Sequence, residues 1–187
     1  MYALTVALFF LAQPFWEAKP PEKWTNLELD RMRYNSPWAL TVGPSPAVVV
    51  SLATAAPVEE ADAEIRLRSK NPPREPDPDY AYFLTQNRED HFVLAIAYPT
   101  LAGLGKAVEQ KRTEEESMML IGRKRYPIEG YFPPTPSDPV LRLVFPRQLK
   151  PTDKTVVFRL YLGGLDFPER EVEFRVKDLM YHGKLAM

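Results

Sequence analysis

The clearest pattern in the chain lies near its end. Val172, Phe174 and Val176 alternate with Glu171, Glu173, Arg175 and Lys177. A period of two puts the apolar row on one face of a strand and the charges in water. Residues 47–53 and 91–98 are nearly unbroken apolar runs, as expected of strands buried on both faces. Residues 117–121, 126–131, 140–145, 155–162 and 181–187 read as further strands, and 80–85 as a short additional one. Turn-forming clusters separate them at 43–46, 86–90, 122–125, 150–153 and 163–168.

Three segments follow helical logic instead. Thr25 and Glu28 have the spacing of a capping box, which predicts a helix over 26–35, ended by Asn35-Ser36-Pro37. Residues 57–70 start with proline, carry acids first and bases last, and offer Asp62–Arg66 and Glu64–Arg68 as pairs one turn apart. Val58, Ala61 and Ile65 form the inner stripe; a strand at 63–68 is the competing reading. Leu101, Leu104 and Val108 share one face of a weaker helix over 101–111, interrupted by Gly103 and Gly105. Two proline-rich stretches, 71–79 and 133–139, are loops on any reading.

Strands set apart by proline- and glycine-rich turns predict a mainly β domain, with α+β as the variant. The expected architecture is an antiparallel β-sandwich, immunoglobulin-like in its general plan. A short N-terminal helix and one or two edge helices would accompany it. Residues 2–12 form an apolar run broken by Gln13-Pro14. Such a run is shorter than the ~20 residues of a membrane span and fits the apolar region of a secretory signal. The division expected is a signal peptide over 1–12, a linker and helical arm over 13–40, and one β-rich domain over 41–187.

Composition narrows the chemistry. The 187 residues are 45% hydrophobic and 26% charged, enough to bury a core. Against 25 Asp and Glu stand 24 Lys and Arg, so no net field draws in nucleic acid. There is no cysteine, which excludes disulfides, thiol nucleophiles and Cys-ligated zinc. The 20 prolines against 8 glycines mark a chain of rigid corners.

Motifs that resemble catalytic signatures fail on inspection. Gly103-Leu-Gly105-Lys106 has Thr100 where a phosphate loop needs glycine and Ala107 where it needs Ser or Thr. Gly43-Pro-Ser45-Pro-Ala47 ends in alanine where a nucleophile elbow needs glycine, and its prolines oppose the strained turn. His91 and His182 are the only histidines, and neither has a nearby partner of metal-ligand spacing. No catalytic residue, cofactor or metal site is therefore assigned.

What remains is recognition. Arg123, Lys124 and Arg125 form a basic hairpin tip beside Tyr126, and Tyr80 and Tyr82 follow the first proline-rich loop. These five residues are the candidate recognition surface, and the two stiff loops lie with them because a rigid loop loses little entropy on binding. Trp16, Trp24 and Trp38 are read as staples for the N-terminal arm. The expectation is an exported, periplasmic or secreted, non-catalytic module that binds a protein or envelope component. It binds no nucleic acid, and its mature chain spans no membrane. A carboxylate-dependent hydrolase of extracellular polymers and a carrier of small apolar ligands are the alternatives.

Overall fold

A computed structural model describes residues 13–70, 76–97, 107–136 and 138–187. Five helices and eleven strands occur among them. The helices are α1 (Phe15–Ala18), α2 (Asn26–Tyr34), α3 (Ala56–Arg68), α4 (Pro78–Asn87) and α5 (Ala107–Glu116). The strands are β1 (Ala39–Val42), β2 (Val48–Leu52), β3 (His91–Ala97), β4 (Met118–Ile121), β5 (Lys124–Pro127), β6 (Gly130–Phe132), β7 (Val140–Pro146), β8 (Thr155–Tyr161), β9 (Glu169–Arg175), β10 (Met180–Tyr181) and β11 (Lys184–Leu185). This makes the fold mixed α/β, with more helix than a mainly β reading allows.

Every strand pair is antiparallel. One sheet has the order β1-β2-β3-β7-β6 and the other β5-β4-β8-β9, with β10 and β11 as a separate ribbon. The chain passes from the first sheet at β3 to the second at β4 and β5, returns for β6 and β7, and crosses again for β8 and β9. Four phenylalanines join the sheets. Phe158 of β8 lies 5.8 Å from Phe92, 5.2 Å from Phe145 and 6.0 Å from Phe174, ring centre to ring centre. Edge-to-face and tilted rings of this kind add to what area burial alone contributes.

The alternation predicted for the last long strand holds, since Val172, Phe174 and Val176 are all buried. The strand itself is Glu169–Arg175, and a single 3-10 turn follows at Val176–Asp178. The apolar run at 91–98 finds its reason in burial on both faces. Phe92, Leu94 and Ile96 face the second sheet, while Val93 packs outward with Val144 and Tyr80.

That outer layer is α4, and it corrects the expected strand at 80–85. Asp77 caps the helix by accepting from the Asp79 N–H at 2.9 Å, and Pro78 occupies its first turn. Tyr80, Phe83 and Leu84 then recur at helical spacing and cover the five-stranded sheet. Beneath them Arg142 lies 4.5 Å over the Tyr80 ring and binds Asp138 through two bonds of 2.7 and 3.2 Å. The same carboxylate accepts from the Asp77 N–H at 3.4 Å, which ties the ends of the two proline-rich loops together. Residues 71–75 and 137 lie outside the described residues.

α3 confirms the helical reading of 57–70 over its competitor, with Val58 and Ala61 buried. Glu64 meets Arg68 at 2.9 Å as expected, and Asp62 meets Arg33 of α2 at 2.8 Å in addition to the field of Arg66 on its own helix. Helix packing supplies the Arg33 partner, and local spacing could not indicate it. α5 begins where the expected helix over 101–111 was to continue; residues 98–106 lie outside the described residues. It runs on to Glu116, turning the charge run into one-turn pairs such as Arg112–Glu116 at 2.8 Å. β1 was not expected from the pattern. Its four residues are too few to show a period, and only pairing with β2 makes them a strand.

The N-terminal arm shares the central core. Trp24, Leu29, Met32 and Trp38 belong to the same buried cluster as the sheets. Trp16 sits edge-on to Trp38 at 5.7 Å, and Phe15 edge-on to Trp24 at 5.3 Å. The capping box of α2 forms as read from sequence. Glu28 accepts from the Thr25 N–H at 2.7 Å, and Thr25 Oγ1 accepts from the Glu28 N–H at 3.3 Å.

This cap has a pH signature. The Lys19 ammonium, 2.7 Å away, and then the Thr25 N–H hold the Glu28 carboxyl at about 2, below its ordinary 4.5. A carboxyl depressed by folding contributes stability above its unfolded value and loses it as pH falls through the folded one. The start of α2 is therefore expected to loosen between about pH 4.5 and 2. Amide exchange at residues 26–29 followed against pH would show this, and Glu28→Gln would abolish the dependence in that window.

Candidate functional site

The sequence-derived recognition residues do not come together. Tyr80 is 5% exposed under α4, with its ring against Phe132 at 5.3 Å, and offers no surface. Tyr82, two residues on and on the opposite side of the same helix, is 70% exposed. Arg123 stands at a two-residue turn with Gly122, while Lys124 and Arg125 already belong to β5 and are exposed. Tyr82 thus lies outside the five-stranded sheet and the basic residues on the edge strand of the other sheet.

The histidines are equally apart, each engaged with its own carboxylate. His91 Nε2 is 2.8 Å from Glu129 Oε2, and His182 Nδ1 is 3.3 Å from Glu17 Oε2. Among the described residues no three His, Asp or Glu side chains converge as metal ligands would. No helix among them is long and apolar enough to cross a membrane.

Two grooves mark the sandwich surface. The smaller, about 470 Å³, is lined by Glu116, Arg159, Tyr161, Glu169, Arg170 and Glu171. Its charges are largely spent on one another. Arg159 meets Glu171 at 2.9 Å, and Arg112 binds both Glu116 and the Tyr161 hydroxyl while lying 4.0 Å over the Tyr161 ring. Tyr161 donates to Glu109 Oε2 at 3.0 Å. Burial first, and that hydrogen bond second, push its hydroxyl above the usual tyrosine value, so it stays protonated.

The larger groove, about 520 Å³, opens where β1 and β9, the terminal strands of the two sheets, approach each other. One wall is α1, the turn before β1 and the start of β1, including Trp16, Glu17, Pro37 and Leu40. α1 is held there by Trp16 against Trp38 and by Glu17, which also accepts from the His182 N–H at 2.9 Å. The turn is fixed by Ser36, which donates to the Met32 carbonyl at 2.7 Å and accepts from the Trp38 N–H at 3.2 Å. The opposite wall is β9, the 3-10 turn after it and the start of β10: Glu173, Phe174, Arg175, Lys177, Asp178 and Met180.

The ladder between β8 and β9 shows which backbone groups this wall presents. Val176 N–H donates to the Lys154 carbonyl at 3.0 Å, and Leu162 N–H to the Pro168 carbonyl at 2.8 Å. These two bonds extend the ladder at its ends and set its phase. Antiparallel pairs alternate between bonded and non-bonded, so Arg170, Val172 and Phe174 exchange bonds with β8. Glu169, Glu171, Glu173 and Arg175 point their N–H and C=O groups the other way. Among the described residues no strand pairs with that side of β9.

The rim is charged. Arg175 meets Asp178 at 2.6 Å, and Glu17 meets His182. Glu173 and Lys177 carry no ion-pair partner among the described residues. The carboxyls that burial raises, Glu59 and Asp62, lie elsewhere, on α3, bound to Arg88 and Arg33. The sequence signal for this site was present in the charged alternation over 171–177, but the edge position of that strand belongs to the tertiary fold. The chain matches no protein-family model, no curated protein and no solved structure.

Proposed function

We propose that the chain is an exported, non-catalytic sandwich domain that recognises a protein or envelope component at its surface. The observation that carries this reading is the groove beside β9. It is open, apolar along its floor and charged along its rim, and one wall holds unused backbone bonds. Such a surface suits a bound chain better than an enclosed small molecule. The immunoglobulin-like general plan belongs to the same proposal, supported by two antiparallel sheets facing each other across one core. Hydrolysis by carboxylates draws on the smaller groove, yet Glu116 and Glu171 there are already bound to arginines.

Export is tested by expressing the full chain in a bacterial host and sequencing the product recovered outside the cytoplasm. The mature protein is expected to begin near Gln13; recovery with Met1 intact would refute the signal. Recognition is tested by placing a photo-crosslinking residue at Lys177, Tyr82 or Arg123 in turn. A discrete crosslinked partner from position 177 supports the groove. Partners only from 82 or 123 move the surface to the residues read from sequence. Release of fragments from an added envelope polymer would replace binding by hydrolysis.

A further inference from the structure

We propose that the free edge of β9 takes up an extended peptide with alternating basic and apolar residues, added as a further strand of the four-stranded sheet. This rests on the recognition reading above and names the partner chemistry. Three features of the edge select that occupant.

The first is the backbone. Glu171, Glu173 and Arg175 offer N–H and C=O groups at the spacing of a ladder, and only an extended chain can satisfy them in order. The second is the groove itself. Side chains on an added strand alternate between faces. Those beside Phe174 turn inward toward Trp16, Pro37, Leu40 and Met180, an apolar bed. The third is charge. Residues opposite Glu171 and Glu173 share the outer face with these carboxylates; Glu171 meets Arg159, and Glu173 has no ion-pair partner among the described residues. Lysine or arginine fits there, and an acid would meet repulsion.

The same charges favour such a peptide over a second copy of this chain. Antiparallel pairing of β9 with itself mixes signs: Glu171 opposite Glu173 comes with Glu169 opposite Arg175, and Glu173 opposite itself comes with Glu171 opposite Arg175, whereas a basic peptide can meet the carboxylates of Glu169, Glu171 and Glu173 together. Like charges directly opposed destabilise a sheet pair. A charged edge is a common guard against self-association, and here it leaves the oppositely charged peptide as the occupant that fits.

The test uses the full chain as recovered after expression and a blocked, dye-labelled peptide of alternating lysine and valine, seven residues long, followed by fluorescence anisotropy. Its glutamate–valine counterpart is expected not to bind. A lysine–valine peptide N-methylated at alternate amides is expected to bind at least about fivefold more weakly, the worth of one lost hydrogen bond. Glu173→Lys is expected to weaken the parent peptide by about fivefold, and raised salt to weaken it further. Glu173→Pro removes one edge donor at an edge position that tolerates proline, and should weaken binding similarly. The N-methylated peptide needs no protein variant, so a folding defect in either substitution leaves the test intact. Amide exchange on the bound protein should slow at Glu171, Glu173 and Arg175. Equal binding of the glutamate–valine peptide, indifference to N-methylation, or slowed exchange confined to another surface would each overturn the proposal. A crosslinked partner at position 177 combined with no binding of the alternating peptide would retain recognition and reject strand addition. Absence of both would reject the two together.

Discussion

Phe158→Ala is expected to destabilise the protein by about 4–5 kcal/mol, at the upper end of the range for a buried phenylalanine. Its ring is fully buried and touches Phe92 and Phe145 of the facing sheet as well as Phe174 beside it. Truncation removes transfer energy and leaves a cavity walled by three rigid rings on two sheets, which relax poorly into it. Phe174→Ala should cost less, about 3–4 kcal/mol, because that ring contacts one member of the set and lies nearer the sandwich edge. Denaturant unfolding of both variants checks the order as well as the size. A loss below about 1 kcal/mol for Phe158→Ala would mean that the two sheets do not close on a common core.

Gly43→Ala is expected to cost more than the same change at Gly122, Gly130, Gly163 or Gly183. Gly43 has φ of +89°, and an added Cβ would stand 2.1 Å from Arg170 Nε and 2.4 Å from its Cδ. Arg170 has little room to yield. It is 4% exposed, and its guanidinium donates to the carbonyls of Phe167, Glu169 and Pro46, fixing the turn between β8 and β9 against the turn between β1 and β2. The left-handed backbone adds about 1–2 kcal/mol and the overpacking about 1–3, for a total of about 2–5 kcal/mol. Gly122→Ala supplies the control. Its φ is +59°, with nothing within 4 Å of the added carbon, so only the backbone part applies. The steric part is isolated by combining Gly43→Ala with Arg170→Ala, where the two losses should be less than additive. Equal melting temperatures for Gly43→Ala and Gly122→Ala would contradict this account.

These two sites lie at different depths of legibility. The phenylalanines follow from pattern, since Phe174 sits in a strict alternation and Phe92 in an apolar run. Gly43 was visible only as part of a turn; that its missing side chain makes room for a buried arginine is knowable only once the two turns meet. Arg170 illustrates the same limit. It occupies an inward position in β9, where the alternation predicts an apolar residue, and three backbone carbonyls from two separate segments accept its hydrogen bonds.

Local signals that act over one turn or one strand were sufficient for what they specify. The capping box at Thr25 and Glu28, the proline and ordered charges at the start of α3, and the alternation of β9 each concern groups within four residues of one another. Their energetics are therefore contained in the sequence. The segment at 80–85 was misread because Tyr80, Tyr82 and Leu84 suggest a strand while Tyr80, Phe83 and Leu84 suggest a helix. The cap at Asp77-Pro78 and the sheet beneath decide between them. Which strands become edges, which faces α4 covers, and which backbone groups are left over at β9 depend on pairings between residues far apart in the chain. A strand carries the same alternation whether it is central or terminal. Only the tertiary structure decides that its outer N–H and C=O groups find no pairing strand among the described residues, and hence that it borders the candidate site.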